Sequence, residues 1–332
     1  MPARVVIVPA TDEGISRAAR LLREGQLVSF PTETVYGLGA DARNAAAVQK
    51  IFAAKKRPAD HPLIVHIADA SVLPRWARSI PAGARALADA FWPGPLTLIL
   101  PKARDVGDIV TGGQDSVGLR VPGHPVAQAL LAQFASLGGE GIAAPSANRF
   151  GRVSATTAQH VADDFGEEVA VILDGGPCRH GIESTIVAFT AGEASVLRPG
   201  ALSVEEIARV LGRPPQAADL GSPRAPGTLA THYAPRTPAR LMPSPDLAAA
   251  LAQLAHPGAH IVVLAHSVAQ PPDFEGTWFD APAHDTAYAQ QLYANLRALD
   301  ALAADEIWIE APPDGPEWHA VRDRLRRATE HP

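Results

Sequence analysis

The sequence predicts two folding units: an α+β domain on a mixed, twisted sheet, then a smaller α/β domain with a parallel sheet. Three observations predict this. At 332 residues the chain exceeds one ordinary domain of roughly 100–200 residues. In its first two-thirds, short apolar runs outnumber helical stretches and do not alternate strictly with them, unlike a regular doubly wound sheet. Beyond a stretch rich in Pro and Gly, strand and helix patterns alternate regularly.

Each element follows from apolar spacing. Residues 5–8 and 27–30 are short apolar runs bounded by turn formers. Between them Ile15, Ala18, Ala19 and Leu22 form an i, i+3, i+4, i+7 stripe, which predicts a helix over 14–24. Residues 45–54 read as a second helix with Val48, Ile51 and Phe52 facing inward. Segments 63–67, 96–100, 117–121, 142–144, 169–173 and 185–189 read as strands. Segments 81–91, 125–134, 156–165 and 204–211 read as helices. Residues 213–238 keep no apolar periodicity and read as a linker. After it come a helix at 247–254, a buried strand at 261–265, a long helix at 286–303, a strand at 306–310 and a last helix at 317–329. The expected domains are therefore 1–212 and 239–332, joined by 213–238.

Composition narrows the function classes. A hydrophobic share of 47% with 19% charged residues suits a globular chain. The net charge of -6 gives no basic footprint, so tight direct nucleic-acid binding is not expected. A single cysteine, Cys178, excludes an intramolecular disulfide framework and a multi-cysteine zinc site. No stretch nears the ~20 apolar residues of a membrane span, and the first apolar run is too short for a signal-peptide core. A cytoplasmic protein without a membrane partner is expected.

Several segments concentrate groups able to bind a small anion. Thr32, Thr34, Tyr36 and one carboxylate follow a strand directly, which fits either a ligand loop or a capped turn. Lys55, Lys56 and Arg57 close a helix, where cations complement the dipole. Pro58 and Pro62 stiffen the next loop and would hold the Arg57 fork for phosphate oxygens. His61 and His66 lie close by in sequence, and packed or solvent-facing roles are the ordinary ones for such residues. Arg120 falls inside an apolar run and needs an anionic partner, a role a substrate carboxylate would serve. Ser146, Asn148 and Ser154 follow a strand, and Ser154 reads as the N-cap of the helix after it. Ser184 opens a strand, and Arg198 is fixed by Pro199. Cys178 has no companion constellation and reads as a chance loop cysteine. There is no Walker loop, no dinucleotide fingerprint and no His-Glu-x-x-His.

Taken in order, PTETVYGLGADA, KKRPADHPL, WPGPLTLIL, VGLRVPGHP, APSANRFGRVSATT, GIESTIV and LRPGAL resemble the YrdC/Sua5 family. The APGTLATHYAP linker before an α/β domain is similar to the longer, two-domain Sua5 form. The resemblance implies a YrdC-like catalytic domain, a linker that closes the active site, and a Rossmann-like second domain. It implies a nucleotidyltransferase that joins L-threonine, bicarbonate and ATP into threonylcarbamoyl-adenylate for N6-threonylcarbamoyl modification of tRNA adenosine 37. Hand-off to the tRNA threonylcarbamoyl-transfer machinery follows from the same resemblance. By motif, Thr34, His66, Arg120 and Ser184 resemble the threonine-binding set, with the backbone near Ala144 adjoining. Arg57, His61, Ser116, Ser146, Ser154 and Arg198 resemble the ATP-binding set, with Lys55 or Lys56 near the phosphates and Tyr233 folding over the nucleotide. Mg2+ held mainly by ATP oxygens and water is implied, with no protein metal site and no separate catalytic residue. The chain departs from the family pattern at His61, where Asn is common, and at 228–231 of the linker. The alternatives are an RNA-binding module and a carbamoyl-transfer domain of metal-centre maturation. The second lacks its zinc-finger-like cysteines and acylphosphatase-like segment here.

Overall fold

A computed structural model describes residues 7–190, 192–219, 221–253 and 259–330. It divides into two compact units: Met1–Phe150 with Ser154–Thr228, and Gly151–Val153 with Leu229–Pro332. The division at Thr228 falls inside the segment expected as linker.

In the first unit the elements are, in order, β1 (Ile7–Pro9), α1 (Asp12–Arg23), β2 (Val28–Phe30), β3 (Gly37–Asp41), α2 (Ala45–Lys55), β4 (Ile64–His66), α3 (Ala82–Phe91) and β5 (Leu96–Pro101). Then follow α4 (Asp108–Thr111), β6 (Ser116–Arg120), α5 (Pro125–Ser136), β7 (Ile142–Ala143), α6 (Ala158–Phe165), β8 (Val171–Asp174), β9 (Thr185–Thr190), β10 (Glu193–Arg198), α7 (Val204–Leu211) and β11 (Gln216–Ala217). The helices start where side chains satisfy their first N–H groups. Thr11 accepts from Gly14 ahead of α1, and Ser203 and Glu206 form a reciprocal capping box on α7. Each such cap is worth about 1 kcal/mol. The stripe expected on α1 is buried: Ile15, Ala18, Ala19 and Leu22.

The strands form one mixed sheet in the order β1-β8-β2-β3-β7-β4-β6-β5-β9-β10-β11. Neighbours pair both ways, with β4 parallel to β6 and β5 antiparallel to it. This is the mixed sheet that irregular strand and helix order predicts. One face carries the main core, where Val65, Leu98, Leu119 and Val187 pack with Val48, Ile51 and Phe52 of α2 and Leu87 of α3.

Some elements differ from the sequence reading. β3 is absent from the strands that apolar spacing predicts, because Gly-Leu-Gly-Ala-Asp has two glycines and no alternation. It is a fully buried strand between β2 and β7. A methyl group at Gly39 would come within 2.8 Å of Ile142 and 2.9 Å of Phe30, so only glycine allows this pairing. β10 also escaped detection, and β11 lies inside the segment read as structureless. Ser154 does not cap α6. That helix begins at Ala158, and Thr157 is its cap, accepting from the His160 N–H. Ser154 instead donates to Glu183 Oε1 at 2.7 Å.

The second unit holds β12 (Ala239–Met242), α8 (Ser244–Ala252), β13 (Ile261–Ala265), β14 (Thr277–Asp280), α9 (Asp285–Asp300), β15 (Glu306–Glu310) and α10 (His319–Thr329). Its four strands are all parallel, ordered β12-β15-β13-β14. Leu247 and Leu251 of α8 pack on Ile261, Val263 and Trp308. The expected helix end at Leu254 lies outside the described residues.

Candidate active site

The sheet face opposite the main core carries the site, and strand register arranges it in rows. Paired residues point to the same face. His66 pairs with Arg120, Thr97 with Ile186, and Ile186 with Arg198. Leu98 pairs with Leu119, and one residue further that register sets Thr97 beside Arg120. One row therefore crosses five strands, from His66 through Arg120, Thr97 and Ile186 to Arg198, spanning about 19 Å at the usual strand spacing. The next row is Ile64, Gly118, Ile99 and Ala188. It is apolar, and Gly118 leaves its middle without a side chain. Ser116 stands two residues further along β6, so the face offers roughly 13 Å from Ser116 to Arg120.

Arg198 belongs to this face because β10 bulges. Its register with β9 slips between Val196 and Arg198. Without the extra residue, Arg198 would share the face of Val196, which packs against the main core. Leu197 joins Ile64, Ile99, Ile186 and Ala188 in a small apolar cluster, and Ala225 closes over it. The segment around Ala225 is tied down within this unit. Arg224 N–H donates to Gln114 Oε1 at 2.7 Å, Arg224 Nη2 donates to the Gly112 carbonyl at 2.8 Å, and Arg198 Nη1 donates to the Pro226 carbonyl at 3.0 Å.

Arg120 is 4% exposed and its anionic partner is internal. Its Nη2 donates to Glu33 Oε1 at 2.6 Å, and its Nε donates to the Gly94 carbonyl at 3.3 Å. The Gly123 N–H donates to the other Glu33 oxygen at 2.8 Å. Burial alone would raise the Glu33 carboxyl. The Arg120 charge and hydrogen bond, with the Gly123 N–H, outweigh it and hold the carboxyl below its ordinary value. Sequence reasoning assigned Glu33 no role. Its signal was a carboxylate embedded between Phe30 and Val35, which also has to be paired. Among the described residues no acceptor is bonded to Arg120 Nη1, so the guanidinium keeps a donor edge for a ligand.

The hydroxyls have definite polarity. Thr32 donates to the Val35 carbonyl at 2.6 Å, so the 2.8 Å contact between Thr32 and Thr34 has Thr34 as donor. Thr34 therefore keeps acceptor lone pairs. Ser184 is 1% exposed, lies 2.8 Å from the Thr97 hydroxyl, and accepts from Arg198 Nη2 at 3.1 Å. Arg198 also donates twice to the Ser184 carbonyl, at 3.2 and 2.9 Å. His66 is buried, with Phe30 edge-on to its ring. Burial, reinforced by the Arg120 charge, pushes its pKa down to about 3, so the imidazole is neutral, and among the described residues its Nδ1 has no partner. The Ala144 N–H is spent on the Ile64 carbonyl at 2.9 Å.

A second group gathers at the amino ends of β4 and β6. Arg57 is 7% exposed and donates from Nη2 to the Pro62 carbonyl at 3.0 Å. The Phe150 ring faces both His61, at 5.3 Å, and the Arg57 guanidinium, at 5.7 Å. Lys55 is buried and its ammonium donates to the carbonyls of Ser146, at 2.7 Å, and Asn148. It ties α2 to the loop that carries Ser146, while the neighbouring Lys56 is exposed. Tyr233 belongs to the second unit, where its ring stacks on Tyr293 at 5.5 Å and Arg324 lies 5.2 Å from it. Cys178 is buried and burial pushes its thiol up, which disfavours the thiolate that a nucleophile needs. Among the described residues no three His, Cys, Asp or Glu converge as a metal site, and no helix is long and apolar enough to cross a membrane.

An α+β unit that gathers Arg, His and hydroxyl side chains on one sheet face, followed by a four-stranded parallel unit, fits the class of two-domain small-molecule enzymes. The family described as "Telomere recombination" (Sua5_yciO_yrdC) matches residues 20–200, and "Threonylcarbamoyl-AMP synthase, C-terminal domain" matches 202–329. The threonylcarbamoyl-AMP synthase of Pyrococcus abyssi is 39% identical over 94% of this chain and 93% of its own length. That of Bacillus subtilis is 41% identical over 96% and 93%. A crystal structure of P. abyssi Sua5 complexed with L-threonine matches with a TM-score of 0.87 at 39% identity, covering 96% of this chain and 95% of that one. The chain belongs to the YrdC/Sua5 family, in its two-domain Sua5 form.

Proposed function

We propose that this chain is a threonylcarbamoyl-AMP synthase, joining L-threonine, bicarbonate and ATP into threonylcarbamoyl-adenylate and pyrophosphate for tRNA modification. The observation that carries the reading is its identity of 39% and 41% to two synthases, along nearly the whole of each chain. Threonine lies at the Arg120 end of the cleft. Its carboxylate takes the open edge of Arg120, its amine and hydroxyl face Thr34 and Ser184, and neutral His66 and the Ala144 backbone complete the wall. ATP runs from Arg198 towards Ser116, Ser146, Arg57 and His61, with Ser154 and one of Lys55 and Lys56 assisting.

The deprotonated threonine amine attacks the bicarbonate carbon, and water leaves. A carbamate oxygen then attacks the α-phosphorus, and the bond to pyrophosphate breaks. No side chain is covalently engaged, so the protein acts through positioning and charge stabilisation. Arg198, bonded to Ser184, stands where the two substrates meet. Mg2+ would enter with ATP and supply charge neutralisation at the phosphates, while Glu33 and Glu183 are engaged with Arg120 and Ser154. The enzyme works in the cytoplasm and passes its product to a tRNA-modifying transferase.

The test is pyrophosphate release from Mg-ATP by the purified chain. It is expected only when threonine and bicarbonate are both present. Release without threonine, or none at all, overturns the reading.

A further inference from the structure

The second unit has a crevice of its own, of about 1140 Å³, at the carboxyl ends of β12, β15 and β13. In parallel α/β sheets this is where ligands bind, and the volume lies somewhat above the roughly 300–1,000 Å³ of ordinary small-molecule sites. Its base is fixed by one side chain. Glu310, fully buried at the end of β15, accepts from the N–H groups of His266, Ser267 and Val268 at 2.6, 2.8 and 3.2 Å. It also accepts from the hydroxyls of Ser244, at 2.8 Å, and Ser267. The loops after β12 and β13 are thus pinned to the strand between them, and the crevice is preformed.

The wall is what gives the crevice a ligand. His319, Arg322 and Arg326 are spaced i, i+3, i+7 on α10 and line the cavity together. His266 and Ser267 stand on the β13 side, and Pro312 adds an apolar surface. Arg322 and Arg326 are about half exposed, and their partners Asp314 and Glu330 are exposed too. Such pairs are worth little and exchange readily. The carboxylates of Asp314 and Asp323 line the same cavity, but Asp323 is shared among Arg324, Arg326 and Arg327, so only part of its charge falls on the row. Two guanidinium forks one helical turn apart suit a phosphate group.

We propose that this crevice binds a phosphate-bearing small molecule, with Arg322 and Arg326 on the phosphate and the apolar wall beside the rest. The proposal is independent of the chemistry in the first unit. It is tested by amide hydrogen exchange on the full-length chain with AMP and, separately, with inorganic phosphate. AMP is expected to slow exchange in 266–268 and 311–326. In Arg322→Ala/Arg326→Ala the half-saturating concentration for that effect should rise roughly tenfold to a hundredfold, with protection in the first unit unchanged. Arg322→Lys/Arg326→Lys, which keeps the charge but loses the forks, should fall between. Equal protection by inorganic phosphate supports the site and makes the free ion its ligand. Protection confined to the first unit, or equal half-saturation in parent and Ala variant, overturns it.

Discussion

Arg120→Ala is expected to weaken threonine binding by about 1.5–3 kcal/mol, the worth of a charge-assisted hydrogen bond, or roughly tenfold to a hundredfold in affinity. It should also destabilise the first unit by about 3–5 kcal/mol, because Glu33 would remain buried with its cation gone. The two effects separate. Adding Glu33→Gln to Arg120→Ala removes the stranded charge and should recover most of the stability but none of the threonine affinity. Calorimetric titration with threonine and denaturant melts of both variants measure this. Unchanged affinity in the single variant would show that Arg120 does not hold the substrate.

Glu310→Ala should destabilise the second unit by about 1–3 kcal/mol, since it strips the shared acceptor from several partly buried donors. Hydrogen exchange in β13 and β15 should quicken accordingly, and unchanged exchange there would contradict the pinning role. The acid limb provides a second readout. Burial would raise the Glu310 carboxyl, but the hydroxyl and N–H of Ser267, the His266 N–H and the Ser244 hydroxyl carry it down to about 2, from 4.5. A group whose folded pKa is depressed stabilises in full above its unfolded value. That contribution is complete above pH ~4.5 and is lost as pH falls towards 2. The parent should therefore lose stability over that window more steeply than Glu310→Ala.

Much of this was legible in the sequence where local pattern and tertiary demand agree. The α1 stripe, the buried runs of β5, β9 and β13 and the change of texture before the parallel unit all follow from apolar spacing. β3 was hidden because its sequence lacks alternation. It is a strand only because β2 and β7 flank it and because Gly39 admits Phe30 and Ile142. The need of Arg120 for an anion was readable, but not that Glu33, 87 residues away, meets it. Nor was the bulge that turns Arg198 onto the cleft face, since one extra residue in a ladder leaves no local mark. Ser154 misled for a related reason. A serine before a helix resembles a cap, and only the fold reveals Glu183 as its partner and Thr157 as the cap.

The central claim is that one cleft brings a threonine carbamate to the α-phosphorus of ATP. The most direct measurement is mass analysis of the product formed from threonine, Mg-ATP and ¹³C-bicarbonate. The expected result is threonylcarbamoyl-adenylate carrying a single ¹³C at the carbamoyl carbon, in amounts equal to the pyrophosphate released. An unlabelled adenylate of threonine, or pyrophosphate with no labelled adenylate, would contradict the account.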